Sequence, residues 1–198
     1  MRPYVWFLAI SIVAVIIVAA AEKKPSSELG PRTSVERSST TTASDNLIIP
    51  VDGITANRLK SDFNDARGGG FRVHHALDIL APRGTPVRAA VAGTIRKLFV
   101  SKAGGITIYQ FDRDEQKCYY YAHLDRYSDF LREGQKVEQG DIIGYVGTTG
   151  NAPANTPHLH FAIMILPPTK EWWKGDPIDP YPLLVKAPVA TTHASAPP

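Results

Sequence analysis

One cysteine among 198 residues rules out an internal disulfide. That residue, Cys118, precedes Tyr119, Tyr120 and Tyr121 in a strand-like run, where a free thiol behaves as a small apolar side chain. No run of lysine and arginine occurs, and no basic stretch is interleaved with aromatics, which argues against nucleic acid as a partner. Charge of either sign is scarce in excess: 22 Lys+Arg against 19 Asp+Glu leave a formal +3. Such a field is weak and easily screened, although it suits work beside an anionic polymer or membrane. Beyond the first residues no long helical period appears.

What is present divides the chain into four parts. After Arg2, residues 4–21 are uncharged and end in Ala19-Ala20-Ala21 before Glu22-Lys23-Lys24. A basic start, an apolar stretch and small residues at its end describe an export signal. The stretch is also about as long as the shortest bilayer-spanning helix, so residues 1–21 read as a signal peptide or a membrane anchor. Either way the protein is expected in the periplasm or cell envelope, with membrane attachment through residues 4–21 if the segment stays. Residues 22–45 are rich in Ser, Thr, Lys and Glu without apolar period and read as a flexible linker. Residues 187–198 are Ala, Pro and Thr around a lone His193 and read as a disordered tail. Between them, residues 46–186 are long enough to bury about two thirds of their unfolded surface without disulfide or metal staples. One domain, expected to be monomeric, follows.

Within that domain short runs of β-branched and aromatic residues alternate with glycine and proline. Examples are residues 94–100, Ile106-Thr107-Ile108-Tyr109-Gln110, Ile142-Ile143-Gly144-Tyr145-Val146 and residues 158–166. This pattern predicts an all-β domain, a small antiparallel β-sheet or sandwich with short helices at most, around residues 59–66 and 125–131. Residues 84–95 echo residues 134–142, each read as a strand, a tight glycine turn and a returning strand.

Five of the six histidines fall in three compact settings. In Arg72-Val73-His74-His75-Ala76-Leu77-Asp78-Ile79, strand alternation puts His74 and Asp78 on one face. In Pro157-His158-Leu159-His160-Phe161 both imidazoles share a face. Tyr121-Ala122-His123-Leu124 lies between. Catalytic zinc takes three protein ligands, commonly histidine with carboxylate, and leaves a position for water. His74, Asp78 and His160 make such a set, with His123 and His158 as unbound imidazoles beside it. Near neutral pH these can accept and return a proton. A lone His-x-His often serves only structure, and a lone His-x-x-x-Asp says less. The combination, in glycine-framed strands with the aspartate in phase, points to a metal centre. His75 is assigned to the surface or to a supporting place behind the ligands, and His193 is a bystander.

These stretches, together with residues 81–87, Gly134-Gln135-Lys136-Val137 and residues 140–147, resemble the lysostaphin-type (LytM-type) zinc metalloendopeptidases in order and spacing from about residue 49 to residue 184. The resemblance implies a small antiparallel sheet with a groove across its metal face. It also implies hydrolysis of peptide cross-links or stem peptides of bacterial peptidoglycan. It assigns His74, Asp78 and His160 to one Zn2+ ion, and His123 and His158 to catalysis.

Two departures stand out. Ala76 occupies a position where the family often has glycine. A tyrosine that some members place before the first histidine, to stabilise the oxyanion, is missing from Ala66-Arg67-Gly68-Gly69-Gly70-Phe71-Arg72. Arg67 or Arg72 could supply that charge, or both are solvated residues framing a loop. The three glycines suit a mobile groove rim. Trp172-Trp173 either grips substrate or packs the closing segment, residues 176–181, onto the domain. Two rival readings are weighed. A catalytically inactive wall-binding regulator would be expected to have lost some of these five residues. A biotin- or lipoyl-type carrier barrel needs a lysine at a hairpin tip, where this chain has Ala92-Gly93 and Gln139-Gly140.

Overall fold

The computed structural model describes residues 47–186. The expectations for residues 1–21, 22–45 and 187–198, His193 included, lie outside the described residues. The described chain opens with a 3-10 turn at Ala56–Arg58. β1 (Ala66–Arg67) and β2 (Arg72–Val73) then form a two-stranded ribbon around a turn at Gly68–Gly70. Gly69 takes φ 73 in that turn, a conformation glycine adopts without steric cost.

Among the described residues nine strands make one antiparallel sheet: β3 (Leu77–Leu80), β4 (Pro86–Arg88), β5 (Gly93–Ser101), β6 (Gly105–Asp112), β7 (Lys117–Tyr127), β8 (Lys136–Val137), β9 (Ile142–Val146), β10 (His158–Ile165) and β11 (Asp176–Ile178). One helical turn, α1 (Tyr181–Leu184), closes it. The fold is therefore all-β, as the alternating runs predict.

The long strands β5, β6, β7 and β10 lie side by side. The other edge of β10 is shared, with β3 beside its first half and β11 beside its second. The end of β7 turns away to pair with β9, which in turn pairs with β4. Period-two alternation fixes which face is buried. Leu77, Ile79, Leu159, Phe161 and Tyr121 all enter one apolar core. Their neighbours Asp78, His160 and Ala122 point the other way. The register sets Asp78 opposite His160, and His160 opposite Ala122, in a single row across three strands. Burial of the apolar face thus specifies the row that carries the site.

Several local expectations are corrected. Residues 59–66 and 125–131 hold no helix, because Leu59 is drawn into the core as extended chain and Asp125 to Tyr127 belong to β7. The echoing segments do not fold as two hairpins. β4 pairs with β9 and β5 with β8, so the halves pair with each other. The reason lies in Ala89, Ala90 and Val91, which are buried and cross the core where a tight turn would have exposed them. The crossing is anchored by polar groups. Tyr121 Oη accepts from the Ala90 N–H at 3.0 Å and donates to Gln110 Oε1 at 2.8 Å, while Gln110 Nε2 donates to the Val91 carbonyl. Each buried polar group in this network has a partner, as low-dielectric burial requires.

Trp172 packs on Tyr109 and Phe99, ring centroids 4.7 and 5.5 Å away, covering a small second apolar cluster that includes Cys118. Trp173 beside it is 57% exposed. The stapling tryptophan therefore holds β5 and β6 rather than the segment 176–181. Burial pushes the Cys118 thiol far up, in keeping with a packing role.

Candidate metal centre

Asp78 and His160 reach the site by strand register alone, but His74 does not. Residues 74–76 lie between β2 and β3, and His75 adopts φ 56. The expectation that His74 and Asp78 share one strand is thus corrected. The backbone kinks at His75, sending its side chain outward against Phe63, while Ala76 is wholly buried. His74 is set instead by the preceding loop. Its N–H donates to the Asp65 carbonyl, and its Nδ1 donates to the Asp62 carbonyl at 3.1 Å. A carbonyl only accepts, so Nδ1 carries the proton and Nε2 is left with its lone pair facing the site.

His74 Nε2 lies 3.0 Å from Asp78 Oδ1 and 3.1 Å from His160 Nδ1, and His160 Nδ1 lies 3.0 Å from Asp78 Oδ1. Three donor atoms converge with no protein group between them. Ligands of a tetrahedral zinc, each about 2.0–2.1 Å from the ion, would be roughly 3.3 Å apart. Two imidazole nitrogens and one carboxylate oxygen suit zinc among the common divalent ions. The residues fit such an ion.

Electrostatics favour a cation there too. Burial disfavours a charged His74, but the Asp62 and Asp78 carboxylates outweigh it and raise its pKa to about 9. Burial also opposes ionisation of Asp78, yet hydrogen bonds from His160 and His74 hold it well below the usual carboxylate range. His160 is lowered, chiefly by burial. A pocket that draws positive charge onto a buried imidazole also favours a divalent cation, which displaces that proton when it binds.

His123 arrives by a different device. Between β6 and β7, Ile106 pairs with Leu124 but Ile108 pairs with Tyr121, so β7 holds one extra residue. The bulge centres on Ala122 and His123, with His123 at φ 61. Strict alternation would point His123 into the core and Leu124 out. With the bulge, Leu124 enters the core while Ala122 and His123 both line the cleft. Bulges of this kind commonly re-aim a side chain at a functional site, and positive φ at a non-glycine residue is a cost that the surrounding structure must hold.

Two loops hold these imidazoles in place. The His123 Nδ1 donates to the Thr149 carbonyl at 2.8 Å, and Thr149 Oγ1 donates to the Leu124 carbonyl while accepting from the Ile106 N–H. His158 is oriented likewise, Nδ1 donating to the Thr156 carbonyl at 2.8 Å. Each ring therefore has its Nε2 left for the cleft. That of His158 lies 3.7 Å from Asp78 Oδ1. Burial, foremost, lowers the His123 pKa to about 4, so it is neutral at pH 7. The His123 ring lies 5.0 Å from that of His158 and 5.6 Å from that of His160.

Gly105 allows this approach. It has φ +66, and an added Cβ would sit closer than 3.0 Å to Thr149 and to the Gly150 nitrogen. Gly105→Ala is expected to push the 147–151 loop away and cost at least roughly 1–3 kcal/mol. Denaturant unfolding should show a lower midpoint, and the variant should keep its metal while losing turnover, because His123 alone loses its anchor.

All five predicted residues line one cleft of about 550 Å³, with Arg67, Arg72, Leu80, Tyr120 and Thr156 among its other walls. Arg72 is exposed. Arg67 is turned onto Asp78 and neighbouring carboxylates rather than held ready for an oxyanion. What sequence reasoning missed is Asp62, which touches His74 and also accepts from the Asp78 N–H at 3.4 Å. Also missed were the Thr149 and Thr156 carbonyls, since a main-chain acceptor leaves no mark in a sequence.

Comparison with known proteins agrees with this geometry. Residues 72–180 match the sequence model of Peptidase family M23. The chain is 37% identical to the L-Ala--D-Glu endopeptidase of Bacillus subtilis over 132 residues, 63% of this chain and 39% of that protein. It is 32% identical to the peptidoglycan DD-endopeptidase ShyC of Vibrio cholerae over 54% of this chain and 25% of that protein. The chain thus spans well under half the length of these relatives. Among solved structures, the catalytic domain of lysostaphin from Staphylococcus simulans superposes with a TM-score of 0.52 at 29% identity, covering 67% of this chain and 96% of that one.

Proposed function

Because the chain belongs to Peptidase family M23, we propose that it is a zinc-dependent endopeptidase that hydrolyses peptide bonds of bacterial peptidoglycan. The observation that carries this reading is the convergence of His74, Asp78 and His160 on one point, with two oriented, metal-free imidazoles alongside. Relatives named as an L-Ala--D-Glu endopeptidase and a peptidoglycan DD-endopeptidase support the substrate class.

Zinc bound by the three ligands would polarise the scissile carbonyl and bring the pKa of its water to about 7. His123 is neutral, and its Nδ1 proton is committed to Thr149, so Nε2 is the atom that takes a proton from the attacking water. His158, oriented by the Thr156 carbonyl, turns its Nε2 towards Asp78; a proton taken up at that Nε2 would stabilise charge on the carbonyl oxygen and pass to the leaving amine. Leu80 and Tyr120 give the peptide apolar walls. The basic, apolar start of the sequence supports export to the envelope, where this substrate lies.

The test is a digest of purified sacculi of differing bridge chemistry, read by mass spectrometry, with His160→Ala as the comparison. The chain should release peptides or amines from at least one sacculus and the variant from none. If the chain binds zinc tightly yet releases nothing from any, it is a wall-binding regulator instead.

A further inference from the structure

We infer that Arg67 is a positioning residue that reserves one oxygen of Asp78 for the metal and keeps the other away from it. This rests on the zinc-peptidase reading above. The two carboxylate oxygens of Asp78 have separate surroundings. Oδ1 faces His74 Nε2 and His160 Nδ1, each at 3.0 Å. Oδ2 accepts from Arg67 Nη2 at 3.1 Å. The same Nη2 lies 3.6 Å from Asp62 Oδ2, and Nη1 lies 3.6 Å from Asp65 Oδ2.

One planar fork therefore spans three carboxylates, a geometry that a lysine's point charge cannot reproduce. Arg67 is supplied by β1, directly before the Gly68–Gly70 turn, and so belongs to the ribbon that carries His74. Asp62 completes the link, since its side chain accepts from the Asp78 N–H and its carbonyl accepts from His74 Nδ1. Two of the three ligands are thus oriented by one ion-pair network.

The consequence is a coordination number. A carboxylate with both oxygens free can take two positions on a metal, whereas one with Oδ2 held by a guanidinium takes one. A three-ligand site with one-point carboxylate binding leaves a position open for water, which catalysis requires. Loss of Arg67 also removes the cation shared by Asp62, Asp65 and Asp78, so the site becomes more negative and retains its metal. Metal affinity and turnover should therefore part company, whereas a merely structural arginine would lower both together.

The experiment uses the full chain with zinc for affinity and with cobalt(II) as an optical probe. Arg67→Ala is expected to bind zinc no more weakly than wild type, judged by chelator competition, while kcat on a released-peptide assay falls roughly 10- to 100-fold. The visible cobalt band should weaken, as it does when coordination rises from four to five. Arg67→Lys restores the charge without the fork and should keep the weakened band, so it decides the matter even if Arg67→Ala fails to fold. A wild-type cobalt band in Arg67→Lys overturns the inference. So does a zinc affinity that falls in step with kcat. If the unaltered chain itself binds no zinc, it is the assignment of the site that fails, and not the role of Arg67 alone.

Discussion

Asp78→Ala is expected to strip the chain of its metal and leave no measurable peptide hydrolysis. Asp78 supplies the only carboxylate oxygen among the three converging atoms, and it lies 3.0 Å from both imidazole nitrogens. Without it only two imidazole nitrogens remain, and the Asp78 charge that would offset a divalent cation is gone. Changing an outer partner of a ligand commonly costs 10- to 100-fold in metal affinity or in activity, so losing the ligand itself should cost more than about 100-fold in affinity. The fold should survive. Asp78 is partly exposed, and the flanking Leu77 and Ile79 keep their places in the core against Leu159 and Phe161. Metal content by mass spectrometry should drop to background while the β-sheet circular dichroism persists. Adding zinc is expected to raise the melting temperature of the unaltered chain but not that of the variant, because only a ligand that binds the native state stabilises it.

His123→Ala should do the reverse, keeping metal and losing rate. His123 makes none of the three ligand contacts, and its Nδ1 is committed to the Thr149 carbonyl. Its Nε2 is an unprotonated acceptor at neutral pH because burial holds the imidazole low. Removing a positioned general base typically costs 10²–10⁴-fold. The expected result is full zinc occupancy, near-normal substrate binding and kcat reduced by about that factor. Equal metal loss in His123→Ala and Asp78→Ala would show that His123 is a ligand and that the division of roles is wrong. Such a pair of variants separates holding the metal from moving the proton.

How far the sequence discloses this site depends on what holds each residue. Asp78 and His160 sit on strands with one buried face, and alternation in Leu77-Asp78-Ile79 and Leu159-His160-Phe161 tells which way they point. Strand parity is a local property, so it reads directly from the residues. His74 comes to the same point for another reason, through a kink at His75 and two backbone hydrogen bonds to the 62–65 loop. The parity argument singled out a residue that does converge with Asp78 and His160, but by the wrong geometry.

His123 is the opposite case. Its outward aim needs an extra residue in β7 and a close approach of Gly105 to Thr149, forty-four positions apart, which no local pattern encodes. The same limit explains the pairing of β4 with β9 and β5 with β8. Two similar segments can each close on themselves or cross, and the choice is made by burial of Ala89, Ala90 and Val91. Asp62 and Arg67 were invisible as site elements for a like reason. Their partners lie 11 to 16 residues away, around a turn whose shape only the folded ribbon defines.

The most direct measurement is an anomalous difference map from crystals of the zinc-loaded chain, collected on either side of the zinc edge. One peak is predicted, about 2.0–2.2 Å from His74 Nε2, His160 Nδ1 and a single oxygen of Asp78, with His123 and His158 unligated. A map with no peak among these three residues, or one in which the zinc is bound through His123 or His158, contradicts the account.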